Sequence, residues 1–292
     1  MLLVTGATGM SGQLAVREFA RMGTPVRALV RNPAKADAAG LANLPNVDLV
    51  EGDMRQADTL GTALDGIERV LMISGAAPDM VETQCNFIDA CKAAGVRHVV
   101  KFSGGEPGFD PTKFRFTRMH EDIEDYLEAS GLAWTHLRPS QFMQVYLREA
   151  PDIIATGTLR LPFANISLSP IDSEDVAKIA YRLLRDGGHE GERLDMTGPE
   201  ALTMDEIAIR ISTVIGQPVK YVSITPEERR RALLARGMPE GFVDALDEQT
   251  EERLKNPVAK VLIATHQIFG VQPTHFADFA TKHASAFSEV AA

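Results

Sequence analysis

The sequence predicts an α/β fold: a doubly wound parallel sheet with helices on both faces and a smaller C-terminal α/β lobe. Two observations carry that prediction. Over the first half of the chain, short β-branched runs alternate with longer amphipathic segments, the pattern of a parallel sheet joined by crossover helices. The first of these runs, Leu2–Thr5, also leads directly into three glycines spaced three apart, Gly6, Gly9 and Gly12, and then into a helix. The further expected strands are Val26–Val30, Asp48–Glu51, Val70–Ile73, His98–Phe102 and Trp134–Leu137. Between them, Leu14, Ala15, Phe19 and Met22 share one face at about 100° per residue, as do Met119, Ile123, Tyr126 and Leu127. Tyr126 and Trp134 are therefore expected in the core.

Beyond residue 150 the pattern loosens. Asp172 or Ser173 caps a helix carrying Val176, Ile179, Ala180 and Leu183, and a strand near Arg193–Met196 returns to the sheet. Thr203 and Glu206 have the spacing of a capping box, and Gly216 closes the helix that follows. Val219–Val222 reads as a short strand, and Phe276, Phe279, His283 and Phe287 as the buried face of a last helix. The expected division is a core over residues 1–150, rejoined by about 170–197, with 151–169 and 198–292 forming the lobe.

Composition narrows the classes of function. A chain of 292 residues with 45% apolar residues buries a large core without staples. Its 30 Lys and Arg stand against 40 Asp and Glu, a net charge of −10 that opposes binding to nucleic acid or an anionic membrane. The two cysteines, Cys85 and Cys91, have neither metal nor redox spacing, and on one helix they point to different faces. The N-terminal residues lack the pattern of a signal peptide and no apolar run approaches 18 residues, so a cytoplasmic protein is expected. Nothing distinguishes monomer from homodimer.

Glycines at this spacing between strand and helix let the chain turn sharply and let the backbone approach a pyrophosphate, which the helix N–H groups and dipole then hold. A Gly-rich turn alone is weak evidence; strand, triplet and helix together point to a Rossmann-type dinucleotide site formed by Gly6, Thr8, Gly9, Met10, Ser11 and Gly12. The segment Thr5-Gly6-Ala7-Thr8-Gly9-Met10-Ser11-Gly12 resembles the short-chain dehydrogenase/reductase superfamily in its extended and atypical branches. Gly52-Asp53, the run Ser130 to Pro139, Ile171 to Ala177 and Thr197-Gly198-Pro199-Glu200 resemble the NmrA-like branch, and the likeness spans about residues 1–216.

The residue after the second strand bears on cofactor choice, because an acidic side chain there binds ribose hydroxyls whereas a basic one accepts a 2′-phosphate. Arg31-Asn32-Pro33 follows that strand, with Lys35 close behind and no acid in the turn, so NADP(H) is favoured over NAD(H). The alternative is a solvated basic loop. Arg27, inside the strand, is assigned to the surface. The resemblance implies that Asp53 bonds the adenine amino group and that Met54 covers the ring; locally, Asp53 also serves as a helix cap. Ser74 and Gly75, ending the fourth strand, are expected to line the cofactor cleft.

Short-chain reductases use Tyr-x-x-x-Lys on the helix after the fifth strand, the Lys lowering the Tyr pKa. None of the four tyrosines here has Lys four residues on. The corresponding positions hold Phe116, which cannot donate a proton, and His120, either a weak acid beside the nicotinamide or an ordinary helix histidine. Ser103 stands where the superfamily's catalytic Ser or Thr is placed, and Lys113 is the other candidate because some atypical reductases use a lysine there. After the sixth strand, Phe142 and Met143 are expected as apolar substrate wall, with Gln141 and Gln144 orienting a polar group.

Two functions from different classes follow. The first is an NADP(H)-dependent oxidoreductase passing hydride to a small-molecule substrate, either a carbonyl or an electron-poor quinone-, azo- or dye-like acceptor. The electron-poor acceptors fit best, since they need little acid assistance and tolerate the missing tyrosine. The second is a non-catalytic NADP(H) sensor acting on a regulatory protein partner, which requires unequal binding of cofactor forms or partners. An epimerase or dehydratase holding NAD is opposed by the missing pair and by Arg31.

Overall fold

The computed structural model describes residues 1–104, 114–256 and 259–288. Among them, seven strands form one parallel sheet: β1 (Leu2–Val4), β2 (Val26–Val30), β3 (Val47–Glu51), β4 (Arg69–Met72), β5 (His98–Phe102), β6 (Ala133–Pro139) and a seventh, Glu192–Met196. Their order is β3-β2-β1-β4-β5-β6 and then Glu192–Met196 at the edge. The seventh strand pairs Leu137 with Leu194, so the chain does return to the sheet near residue 193. Expected and observed strand ends agree to within one or two residues, which is the usual fraying of such boundaries.

The central strands are largely buried on both faces because helices cover both, whereas the edge strand Glu192–Met196 exposes Glu192, Arg193 and Asp195. The helix α1 (Met10–Arg21) packs against the helix Ser173–Asp186 on one face, and on the other Met80–Ala93 packs against Arg115–Ala129. Alternating residues of each strand enter the two layers. Val4, Ala28, Leu71 and Val100 face Val16, Phe19, Ile179 and Leu183, whereas Leu3, Leu29, Val70 and Val99 face Phe87, Ile88, Ile123 and Leu127. The helix Ser173–Asp186 is capped by Asp172, which accepts from the Glu174 N–H at 3.0 Å. Met22 falls past the end of α1 and is exposed, so the buried stripe of that helix is Ala15, Val16, Phe19 and Ala20.

The lobe has a core of its own, built on two short sheets that the sequence pattern foresaw only in part. Thr158–Leu161 pairs in parallel with Lys220–Ser223, and Ser167–Leu168 pairs antiparallel with Leu202–Thr203. The Thr203–Glu206 capping box is present and starts the helix Met204–Ile215. Ile207 and Ile211 of that helix pack with Tyr146, Leu159, Phe276, Phe279 and Phe287. The predicted last helix is broken at His283 into Phe276–Lys282 and Ala284–Phe287. Among the described residues, no helix is long and apolar enough to cross a membrane.

Phe279 is fully buried between Phe276, 5.7 Å away, and His283. Phe279→Ala is expected to lower the unfolding free energy in urea by about 3–5 kcal/mol, the range for emptying an aromatic site in a packed core.

Candidate active site

All seven strands of the sheet point the same way, so their C-terminal ends meet along one edge. The chain leaves β1 towards β2 on one side and β4 on the other, and a crevice opens between the connections. Thr5 ties the two strand ends together: its hydroxyl donates to the Ile73 carbonyl at 2.7 Å and accepts from the Ile73 N–H at 2.8 Å. That clamp fixes Ile73-Ser74 opposite the glycine turn. A cavity of about 440 Å³ lies there, lined by Gly6, Thr8, Gly9, Met10, Ser11 and Gly12 on one wall and by Ser74 and Gly75 on another.

The turn admits no larger residues. Gly6 has φ +59°, and a Cβ on it would lie 2.7 Å from the Ile73 carbonyl oxygen; a Cβ on Gly12 would lie 2.2 Å from the Gly6 oxygen. Gly9 caps α1 with no side chain to satisfy the helix N–H groups, which leaves them for a ligand. Crowded backbone and open amides together fit a dinucleotide diphosphate.

Arg31 and Lys35 line the same cavity. Among the described residues Arg31 makes no ion pair, whereas Arg27 is engaged by Asp48 at 2.8 Å and by the carbonyls of Thr62, Ala63 and Asp65. Arg27 is thus engaged within the protein, whereas Arg31 lines the cavity without an ion pair among the described residues. Asp53 and Met54 lie on the cavity wall. Asp53 Oδ1 accepts from the Arg55 N–H at 3.1 Å, a local turn rather than a helix cap, and Met54 is nearly buried.

A second cavity, of about 370 Å³, adjoins the first and shares Ser11, Ile73, Ser74 and Met80 with it. Its walls are mainly aromatic and aliphatic: Phe102 and Phe142 stand 6.1 Å apart, and Phe116 contacts both Phe114 and Phe242. Ser103, His120 and Gln141 also reach this cavity. Arg115 of the helix Arg115–Ala129 pairs with Glu248 of the helix Glu240–Lys255, its Nε donating at 2.9 Å, which holds the lobe over the opening.

A buried polar network underlies this second cavity, and its centre is a residue that motif spacing did not single out. Lys101 is fully buried in β5; its Nζ donates to Ser103 Oγ at 3.0 Å and lies 2.7 Å from His120 Nδ1. Ser103 donates in turn to the Glu124 carboxylate, which Arg138 also binds through Nε at 3.0 Å and through its terminal nitrogen. A lysine inside the apolar run His98-Val99-Val100-Lys101-Phe102 was the available signal, because a charge in a central parallel strand needs partners. Glu124, Glu128 and His136 bring ligand atoms within 4.8 Å of one another, and Arg138 and Arg193 bind the two carboxylates.

The electrostatics follow from burial. Desolvation lowers the Lys101 pKa to about 7, partly opposed by the Glu124 charge. Burial, and after it the Lys101 and Arg138 charges, hold His120 well below the usual histidine range, so its ring is neutral. Burial works against the ionised Glu124, but hydrogen bonds from Arg138 and Ser103 and the His136 ring outweigh it and keep that carboxyl below its ordinary value. With Nδ1 accepting from the Lys101 ammonium, His120 carries its proton on Nε2.

Three expectations are corrected. Met143 is buried in the lobe core with Tyr146 and Met204, because the turn after β6 aims Phe142 at the cavity and Met143 away from it. Gln144 binds Asp172 at 2.6 Å and Ser173 at 2.8 Å, locking the start of a helix. Tyr126 is on the surface, where its hydroxyl donates to Asp89 at 2.9 Å. Lys113 lies outside the described residues.

The family model of the NmrA-like family matches residues 1–272. This chain belongs to the NmrA-like family. It is 36% identical over 287 residues to an NAD(P)H azoreductase of Xenophilus azovorans, covering 98% of this chain and 99% of that one. It is 31% identical to a (4-alkanoyl-5-oxo-2,5-dihydrofuran-3-yl)methyl phosphate reductase of Streptomyces griseus, covering 99% of each chain. The structure of an NADPH-dependent quinone oxidoreductase of Escherichia coli, complexed with NADPH, superposes with a TM-score of 0.84 at 27% identity, covering 97% of this chain and 99% of that one.

In this NmrA-like chain the buried lysine couples stability to pH. Lys101 has an ordinary value of 10.5 unfolded and about 7 folded, so between those limits the unfolded state binds more protons. Its destabilising effect is complete below about pH 7 and is relieved as pH rises, by about 1.4 kcal/mol per pH unit. Urea unfolding of wild type and Lys101→Met at pH 7 and pH 9 checks this: the substitution is expected to remove that rise.

Proposed function

We propose that this chain is an NADPH-dependent reductase of electron-poor organic acceptors of the quinone, azo or dye type. The observation that carries this reading is the junction of the two cavities at Ile73-Ser74, with the Lys101–Ser103–His120 network beside an otherwise apolar chamber. The azoreductase and quinone oxidoreductase relatives support the same acceptor class and the same cofactor.

The glycine turn from Gly6 to Gly12 holds the diphosphate on backbone N–H groups, and Arg31 with Lys35 takes the 2′-phosphate. Asp53 and Met54 hold the adenine end, while Ser74 and Gly75 line the way to the second cavity. When bound, NADPH supplies hydride to the acceptor. Phe102, Phe116 and Phe142 enclose a flat aromatic acceptor and exclude water, and Gln141 orients a polar substituent. A reduced quinone or azo acceptor needs a proton, whereas a triarylmethane cation does not, and Phe116 cannot give one. His120 Nε2–H provides it while Nδ1 takes a proton from Lys101, so the imidazole passes a proton on without becoming a cation and Lys101 ends as a neutral amine. Ser103 and Glu124 hold Lys101 in line for that transfer. Acceptors that already take hydride readily need no stronger acid, which is why the absent tyrosine is tolerated.

An acceptor screen tests the reading. Quinones, azo dyes and triarylmethane cations are expected to stimulate NADPH oxidation, and simple ketones are not; silence across the whole screen would reject it. Because Lys101 must be protonated to supply the proton, kcat with quinone and azo acceptors is expected to fall as pH rises through about 7. His120→Phe and Lys101→Met are each expected to lower kcat by about 10²-fold, the lower end for general acid catalysis, and to flatten that profile. By calorimetry, Arg31→Ala is expected to weaken NADPH binding by about tenfold or more while leaving NADH nearly unchanged, the range for losing a hydrogen bond to a charged group.

A further inference from the structure

The far end of the second cavity carries charges that the hydride-transfer chemistry does not use. The segment Met143–Glu149, a 3₁₀ helix following β6, ends on Arg148 and Glu149, and both line the cavity. Glu149 is almost fully buried, and Arg229 binds both its oxygens, at 2.9 and 2.6 Å. Both oxygens are thus hydrogen-bonded by Arg229, and Arg236 stands 3.8 Å from one of them, whereas no oxygen of Glu149 is bonded to Arg148. Asp247, the other acidic residue of the lining, accepts from Arg230 at 2.7 Å. Arg148 is different: it is exposed, is one of the residues lining the cavity and, among the described residues, makes no hydrogen bond or ion pair.

An unengaged guanidinium beside aromatic walls is an incomplete arrangement. Its five N–H donors have a fixed fork geometry that matches a planar or trigonal oxyanion. Desolvation lowers its pKa, opposed by the pull of Glu149 and reinforced by the like charge of Arg229. The chain as a whole carries a net charge of −10, so an anion gains nothing from the general field and needs a local cation to be held here.

We infer that Arg148 forms an anion subsite, and that the acceptors taken by this cavity are aromatic molecules bearing a sulfonate or carboxylate group. The oxyanion lies on Arg148 while the ring system fills the aromatic chamber. This deepens the reductase reading and rests on it for the reaction, but the binding itself does not. Arg148 contributes to holding the acceptor and leaves proton delivery to His120.

Two probes of matched shape test the subsite, 2-naphthalenesulfonate and its neutral counterpart 2-naphthalenesulfonamide, titrated calorimetrically into full-length protein saturated with NADP+. Wild type is expected to bind the sulfonate about tenfold or more tightly than the sulfonamide, as for a charge-assisted hydrogen bond. In Arg148→Gln that ratio is expected to fall to about one, and Arg148→Lys is expected to keep part of it. Equal affinities in wild type, an unchanged ratio in Arg148→Gln, or equal weakening of both probes would overturn the inference. In parallel, kcat/KM is compared for a sulfonated azo dye and its unsulfonated parent. The ratio is expected to fall about tenfold in Arg148→Gln, chiefly through KM, as for a contact made equally in ground and transition states. If no acceptor is reduced but the binding ratio tracks Arg148, the reductase reading fails and the subsite stands. Acceptors reduced without any binding preference give the reverse.

Discussion

Lys101 is held in the middle of a parallel sheet with its ammonium between His120 Nδ1 and Ser103 Oγ, and much of the site follows from keeping it there. Moving an ion of that size out of water costs roughly several kcal/mol even after the protein relaxes. The cost is offset by groups drawn from three separate elements: Ser103 at the end of β5, His120 and Glu124 one turn apart on the helix Arg115–Ala129, and Arg138 in β6. Because Glu124 bonds both Ser103 and Arg138, it fixes the helix against both strands. The same desolvation lowers the lysine pKa to about 7 and keeps the imidazole uncharged.

The direction of the strands decides where this network acts. In a parallel sheet every C-terminal end opens on one edge, so the glycine turn after β1, Ser74 after β4, Ser103 after β5 and Phe142 after β6 lie side by side although they span some 130 residues of sequence. The Thr5–Ile73 bonds make the first of these junctions rigid. The lobe completes the enclosure from above. Its aromatic residues Phe276, Phe279 and Phe287 pack into one cluster with Met143 and Tyr146, and the Arg115–Glu248 pair ties its helix Glu240–Lys255 to the helix that bears His120. The apolar side chains Leu233, Phe242 and Leu246 then close the chamber.

Local signals were read well where a local constraint acts. The glycine triplet is dictated by contacts within one turn, and Asp172 and Thr203 were legible as caps because a cap bonds a backbone N–H two or three residues away. Strands β2 and β5 were legible because they are short, mostly apolar runs buried on both faces, interrupted only by Arg27 in one and by His98 and Lys101 in the other. Misreadings came where one residue of rotation decides the outcome. Phe142 faces the cavity while the adjacent Met143 enters the lobe core, and nothing in that dipeptide states which way the turn after β6 rotates. Tyr126 shares the apolar stripe of its helix but sits at its margin, where an amphipathic tyrosine keeps its hydroxyl on Asp89 in water.

The sequence by itself determined the α/β class, the position of the glycine turn, the basic residues that follow β2 and the absence of a Tyr-x-x-x-Lys pair. Each of these depends on residues that are neighbours along the chain. Tertiary structure alone decided that Arg27 is spent on Asp48 while Arg31 is left open, that Lys101 meets His120 from 19 residues away, and that Glu149 is claimed by Arg229 from 80 residues away. Charges are assigned by whichever partner the packed core brings within hydrogen-bond distance, and that distance is set by the crossing of strands and helices rather than by spacing in the sequence.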